Sequence, residues 1–279
     1  MDEEVDVLIV GAGVVGLACA LDAARRGLSV ALVERHLRAG EETSSRNSGV
    51  IHSGIYYPTA SLKARMCVDG RERLYAYCAE RGITHRRCGK LVVAQLGQVE
   101  ALQALEEQAR ANGVSDLELL TSADTRALEP AVRCEAALYV PCTGIVDVHE
   151  YMQALEGDIA SAGGIVSYGT EFIGSELSDG VFKARLRGDG EVSEFRCRRL
   201  VNAAGLSAVA MLDRIGGYPR VHSHRTWYAK GSYFSCGGTK PFRHLVYPMP
   251  NEASLGLHAT LELDGRTRFG PDVEWVDTI

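Results

Sequence analysis

The chain has 279 residues, enough for one large domain or two that interleave. Its 46% hydrophobic and 24% charged content is ordinary for a globular chain and excludes a disordered tail. A net charge of −6 gives no general electrostatic draw toward nucleic acid.

Val5 to Val10 reads as a buried strand, rich in β-branched residues. Gly11-Ala12-Gly13 is a turn, Val14 to Arg26 a helix stopped by Gly27, and Ser29 to Glu34 a second strand. Together these make a βαβ unit. Thr43 to Pro58 is a polar loop leading to a helix over Leu62 to Arg81. A strand follows at Lys90 to Ala94, then an amphipathic helix at Glu100 to Asn112 ending at Gly113. Val148 to Ala162 reads as a helix and Ile165 to Phe172 as a strand. Phe182 to Leu186 and Glu194 to Cys197 pair as a hairpin around Arg187-Gly188-Asp189-Gly190. A short apolar strand, Leu200 to Ala203, runs into Gly205, and the remainder is strand-like with Gly and Pro turns. Leu102, Leu105 and Ala109 show ordinary core spacing. Arg65, Arg71 and Arg73 read as a solvated or ion-paired helix face.

Cys19, Cys67, Cys78, Cys88, Cys134, Cys142, Cys197 and Cys236 form no Cys-x-x-Cys pair, which argues against a zinc or thioredoxin-type site and leaves the metal expectation at none. Their scatter points to reduced thiols and a cytoplasmic setting. Met1-Asp2-Glu3-Glu4 lacks the basic start of a secretory leader, and the glycine-interrupted stretch Val7 to Ala20 is too short to span a bilayer.

Chemistry enters with Gly11-x-Gly13-x-x-Gly16. Gly11 permits the tight turn, Gly13 lets a pyrophosphate approach the backbone, and Gly16 lets helix and strand pack closely. The phosphates then meet the positive end of the helix. Glu34, closing the second strand, can accept hydrogen bonds from ribose hydroxyls and repels a 2′-phosphate. Ala203-Ala204-Gly205 is a second small-residue turn, of a kind that lets backbone pass near a flavin; nicotinamide dehydrogenases usually lack this pairing. Between the two lies Ser44-Ser45-Arg46-Asn47-Ser48-Gly49-Val50-Ile51-His52-Ser53-Gly54-Ile55-Tyr56-Tyr57, whose hydroxyls, amides and N–H groups suit phosphate and ribityl oxygens.

This loop resembles that of the L-2-hydroxyglutarate dehydrogenase/oxidase family, within the D-amino-acid-oxidase-like superfamily. Similar segments follow in order at Leu62–Cys67, Cys88–Ala94, Thr143–Asp147, Lys230–Phe234, Leu245–Pro250, Leu255–Thr260 and Phe269–Asp272. The resemblance implies an α/β fold in which a Rossmann-type FAD-binding domain (1–85 and 145–215) interleaves with a smaller mixed-sheet α+β substrate domain (86–144 and 216–279). It implies FAD as cofactor, held by Gly11, Gly13, Gly16, Glu34, Arg35, Ser44, Ser45, Asn47, Ser48, Gly49, Val50, Ala203, Ala204 and Gly205. The implied reaction is oxidation of L-2-hydroxyglutarate to 2-oxoglutarate, with oxygen or a quinone as electron acceptor. The implied location is the cytoplasm, free or peripheral at the inner membrane face.

Oxidising a 2-hydroxy acid needs a base for the hydroxyl proton, and histidine suits neutral pH. His52 and His258 are the base candidates, and both stand at this stage. Lys230 is placed either to bind a carboxylate or to polarise the flavin, and Tyr56, Tyr233 and Arg46 are candidates for holding the substrate. Family members continue past the equivalent of Ile279, so the chain is expected to be shortened at its C-terminus. Alternatives are another superfamily oxidase acting on glycine, a D-amino acid or glycerol 3-phosphate, and an inactive dinucleotide-binding module or partner subunit.

Overall fold

A computed structural model describes residues 4–219, 224–235, 237, 241–250 and 256–279; Met1, Asp2, Glu3, Cys236 and Leu255 are among those outside this set. Contacts divide the chain into two compact units, Met1–Asn47 with Val148–Thr226, and Ser48–Asp147 with Trp227–Ile279. Residues 48–85, expected with the first unit, lie in the second. The reason is the helix Leu62–Arg81, whose Arg71 donates to Ser53 O at 3.0 Å and whose Tyr75 donates to Cys142 O at 3.1 Å. Residues 145–147 go the same way, because Gly144–Val146 pairs with Val50–Ile51 and with His85–Arg86. Ile215–Gly216, by contrast, adds an edge strand to the first unit.

The first unit carries a seven-stranded sheet. Glu4–Val10 pairs in parallel with Glu191–Asn202 on one side and Val30–Val33 on the other, and Val30–Val33 pairs in parallel with Ile165–Ser167. Leu8, Ile9 and Leu32 are fully buried, as strands covered on both faces require, and so is Leu17 of the helix Val14–Arg25 that covers them. The helices Val14–Arg25 and Val148–Ser161 are tied by an Arg25–Asp158 ion pair at 2.8 Å. The expected hairpin is present between Val181–Gly188 and Glu191–Asn202, and Asp189 and Gly190 both take positive φ, as its two-residue turn requires. The expected single strand Ile165 to Phe172 is two, Ile165–Ser167 and Glu171–Ser178. Gly169 sits at φ +63° between them, its N–H bonded to His36 O, so the chain turns away from the parallel sheet there.

The second unit holds another seven-stranded sheet, in the order Phe234–Ser235, Thr267–Gly270, His258–Leu261, Leu245–Pro248, Lys90–Ala94, Ala136–Val140, Glu118–Thr121. Leu245–Pro248 runs parallel to Lys90–Ala94, and the other pairings are antiparallel, so the sheet is mixed as expected. The helix Val99–Ala111 buries Leu102, Leu105 and Ala109 in a core cluster with Val92, Ala94, Leu138 and Val140. Tyr228–Lys230 and Glu274–Val276 form a separate two-stranded ribbon. Among the described residues no helix is long and apolar enough to cross a membrane, and no group of three or more His, Cys, Asp or Glu residues could hold a metal ion.

Candidate active site

The first unit contains a cavity of about 520 Å³ at the carboxyl end of its parallel strands. Gly11, Gly13, Glu34, Arg35, Ser44, Asn47 and the turn Ala203-Ala204-Gly205 line it. Close backbone approach dictates the glycines. A Cβ on Gly16 would lie 1.9 Å from Gly11 O, and one on Gly11, whose φ is +106°, would lie 2.5 Å from Ala203 O. Gly16 does not line the cavity; it lets the helix start against the turn. Ala203 N donates to Val10 O at 2.9 Å, and Asn202 Oδ1 accepts from Ala204 N at 3.3 Å, which fixes the second turn beside the first.

Glu34 is held by two backbone donors, Ala12 N at 2.8 Å and His36 N at 2.9 Å, one to each carboxylate oxygen. A carboxylate offers about four acceptor positions, so two remain for the hydroxyls of a ribose. Ser44 Oγ accepts the N–H of Val14, the first helical residue, at 3.0 Å. Arg35 pairs with Glu42, whose bond holds the guanidinium above its ordinary range. The donor set is therefore a glycine turn, a helix N-terminus, a ribose-ready carboxylate and a small-residue wall. It fits a dinucleotide bearing a free 2′-hydroxyl, as FAD does. Ser45 lies outside the lining and donates instead to Glu42 O at 3.0 Å. Ser48, Gly49 and Val50 belong to the second unit, where Gly49 O accepts the N–H of Val146.

The second unit presents a different assembly. Residues 52–57 form a loop with almost no backbone pairing, and side chains from two helices satisfy its carbonyls. Cys67 Sγ reaches His52 O at 3.5 Å, Arg71 reaches Ser53 O at 3.0 Å, and Gln108 reaches Ile55 O at 2.9 Å. Asn112 donates to both Gly54 O at 3.1 Å and Tyr57 O at 2.8 Å. Of the expected solvated or ion-paired face, Arg71 keeps only the ion pair, to Glu72 at 2.8 Å; it is buried rather than solvated, and its remaining donors serve the loop. Such a loop holds its side chains without a strand to carry them.

That loop lies on the sheet face bearing Lys90, Tyr247 and His258. Lys90 stands in register with Leu245, and Tyr247 with Val92, so the strand alternation puts all four on one face. Lys90 Nζ lies 4.4 Å from the centroid of the Tyr56 ring and 5.1 Å from that of Tyr247. The His258 ring stacks on Tyr247 at 3.6 Å, with 6° between planes. Opposite His258 is Gly270, where an added Cβ would meet Tyr233 Cδ1 at 2.8 Å; Tyr233 in turn sits 5.4 Å from the Arg268 guanidinium. Burial pushes the phenols of Tyr56 and Tyr247 up. Burial, and then the charges of Lys90, His258 and Lys63, bring His52 down to about 4, so its imidazole is neutral at neutral pH.

The structure therefore brings His52, Tyr56, Tyr233 and His258 into one region, and adds Lys90, Tyr247 and Arg268, which sequence reasoning missed. Lys90 and Tyr247 lie inside segments singled out by resemblance, but they read there as strand residues; only pairing of remote strands exposes their shared face. Two candidates stand apart. Lys230 is exposed on the two-stranded ribbon, paired with Glu274 at 3.1 Å. Arg46 is exposed, and its guanidinium is turned onto Glu41 O and Glu42 O of its own loop.

The sequence pattern of the family described as FAD dependent oxidoreductase matches residues 6–278. The chain is 38% identical to the mitochondrial L-2-hydroxyglutarate dehydrogenase of Arabidopsis thaliana over 306 residues, covering 99% of this chain and 63% of that protein. It is 35% identical to the Homo sapiens protein of the same name, covering 96% of this chain and 60% of that one. The chain thus spans about three fifths of the length of these relatives. An L-alpha-glycerophosphate oxidase from Mycoplasma pneumoniae, solved with FAD bound, superposes with a TM-score of 0.89 at 26% identity, covering 99% of this chain and 73% of that one. A glycine oxidase from Geobacillus kaustophilus shares the fold with a TM-score of 0.81 at 22% identity, covering 98% and 72%. Cavity, glycine turn and family pattern agree, and the chain belongs to the FAD dependent oxidoreductase family, with FAD as its cofactor.

Proposed function

We propose that this protein oxidises L-2-hydroxyglutarate to 2-oxoglutarate. The observation that carries the reading is the pinned loop 52–57, which sets a neutral His52 and Tyr56 on the face holding Tyr247 and His258. Relatives named L-2-hydroxyglutarate dehydrogenase, at 35–38% identity, support the choice of substrate. Bound FAD supplies the acceptor for the hydride that leaves C2 of the substrate.

The chain's own residues supply the rest. His52 accepts the hydroxyl proton, because its imidazole is neutral and half-buried. His258 is buried and stacked, and orients the site through Tyr247. Tyr56 and Tyr233 offer hydroxyl donors to the substrate carboxylates, with Arg268 as the cation beside Tyr233. Electrons then pass to oxygen or a quinone, with the protein in the cytoplasm, free or peripheral at the inner membrane face.

The test is the visible spectrum of the FAD-loaded chain under anaerobic addition of substrate. Bleaching by L-2-hydroxyglutarate, and not by its D-isomer, glycine or glycerol 3-phosphate, is expected. Bleaching by glycerol 3-phosphate alone would move the reading to the chemistry named for the Mycoplasma pneumoniae relative. Bound flavin that no substrate bleaches would leave a binding module.

A further inference from the structure

Lys90 is a costly residue to bury in the second unit. It is fully buried, and its Nζ has no hydrogen-bond partner among the described residues. An unpaired cation inside a protein is strongly disfavoured, whereas a methionine of similar volume fills such a slot without that penalty. Two aromatic faces, Tyr56 at 4.4 Å and Tyr247 at 5.1 Å, offset part of the cost by cation–π attraction.

The surroundings narrow what this cation can act on. From the loop come His52 and Tyr56, from the adjoining strands Tyr247 and His258, from the helix Leu62–Arg81 Lys63, Cys67 and Arg71, and after the strand Ala136–Val140 Cys142. Among the described residues, the groups acting on Lys90 are the thiols of Cys142 and Cys67, and no carboxylate is with them. Burial raises both phenols and both thiols, so these groups stay neutral through neutral pH. What remains for the ammonium to bias is imidazole. Tyr56, which covers Lys90, follows His52 in the loop whose carbonyls are pinned by Cys67, Arg71, Gln108 and Asn112, so cation and imidazole hold a fixed relation.

We propose that Lys90 is a positioning residue for the proton acceptor: its ammonium, sealed beneath Tyr56 and Tyr247, opposes a second positive charge on His52 and so extends toward lower pH the range in which His52 can take the hydroxyl proton of the substrate. The catalytic half of this statement rests on the function proposed above; the electrostatic half does not. The direction of the titrations agrees. Burial brings Lys90 down to about 7, so at the acid pH where His52 protonates, near 4, Lys90 is charged and opposes that proton.

The test reads His52 directly. Ring-proton NMR of the FAD-loaded protein is followed from pH 3.5 to 8, with His52→Gln assigning the signal. In the unsubstituted chain the His52 midpoint is expected near 4. In Lys90→Met it is expected to rise by about one pH unit, a tenfold gain in proton affinity. Lys90→Arg keeps the charge and is expected to leave the midpoint low. A merely structural lysine would behave differently, because its removal would lower thermal stability without moving His52. Here the melting temperature of Lys90→Met is expected to hold or rise; Lys90→Gln replaces it if the methionine variant does not fold. An unmoved His52 midpoint in a folded Lys90→Met protein, or the same shift in Lys90→Arg, overturns the proposal. The acid limb of anaerobic flavin bleaching by L-2-hydroxyglutarate is expected to move with the NMR midpoint. If the midpoint moves but no bleaching occurs even in the unsubstituted chain, the electrostatic coupling stands and the proposed substrate falls.

Discussion

The two units build their sites by opposite means. In the first, the backbone is the instrument: Gly11, Gly13 and Gly16 crowd strand, turn and helix together, and Glu34 and Ser44 are fastened to main-chain N–H groups. In the second, side chains do everything. A loop without partners of its own is held by Cys67, Arg71, Gln108 and Asn112, and its His52 and Tyr56 meet Lys90, Tyr247 and His258 from strands far away in sequence. A backbone site tolerates almost no added atom, whereas a side-chain site degrades by degrees. The contrast predicts how substitutions will fail in each.

The largest effect belongs to the first unit. Gly16→Val puts its Cβ 1.9 Å from Gly11 O, with backbone on both sides of the clash. FAD retention through gel filtration is expected to fall to none, with stability lowered by about 1–3 kcal/mol or more for an overpacked contact. A valine variant that still co-elutes with flavin would mean that the turn yields more than its packing suggests.

Next is His52→Gln, in the second unit. FAD retention is expected to be normal, and the rate of anaerobic bleaching to drop about 10²–10⁴-fold, the usual worth of a general base. The pH dependence sharpens the test. His52 falls from its ordinary 6.5 to about 4, because burial disfavours the charged ring. An unfolded chain therefore takes this proton first, and the stability contributed by the neutral imidazole is full above about pH 6.5 and lost as pH falls toward 4. In urea titrations at pH 7, 5.5 and 4.5, the glutamine variant should lose less stability on acidification than the unsubstituted chain. Equal losses would deny His52 its buried, neutral state.

This same contrast decides what sequence could reveal. The βαβ unit, Glu34 and the Ala203-Ala204-Gly205 turn were legible because each depends on neighbours in the chain or on a residue type that only one geometry explains. Helix Leu62–Arg81 and strand Lys90–Ala94 were legible to the residue from pattern alone. Arg71 was not, because helix position says nothing about a carbonyl 18 residues earlier that needs a donor. Lys90 and Tyr247 were hidden for the same reason, since their shared face exists only once Lys90–Ala94 pairs with Leu245–Pro248. Lys230 and Arg46 drew attention by charge and by loop position, and both carry charge that local groups already engage.

Asn112→Ala tests the scaffold rather than the chemistry. It removes the donors to Gly54 O and Tyr57 O and leaves two carbonyls to find water, which should cost about 1–3 kcal/mol. Bleaching should slow severalfold with flavin retention intact, since the loss stays within the second unit. A stability loss with no change in rate would show that the loop keeps His52 in place without its asparagine clasp.

The smallest expected effect is at Lys230. Its amine is more than half exposed and pairs with an equally exposed Glu274 at 3.1 Å, across a two-stranded ribbon. Exposed pairs of this kind contribute about 0–1 kcal/mol and weaken with salt. Lys230→Ala should therefore leave bleaching rate, its pH profile and flavin retention within twofold of the unsubstituted chain, while Lys90→Met, in the same unit, moves the acid limb of the bleaching profile. The pair isolates burial as the variable, because both positions remove a single lysine charge. If Lys230→Ala slows bleaching tenfold or more, charge on the ribbon reaches the substrate after all, and the division between an engaged surface lysine and a buried, working one breaks down.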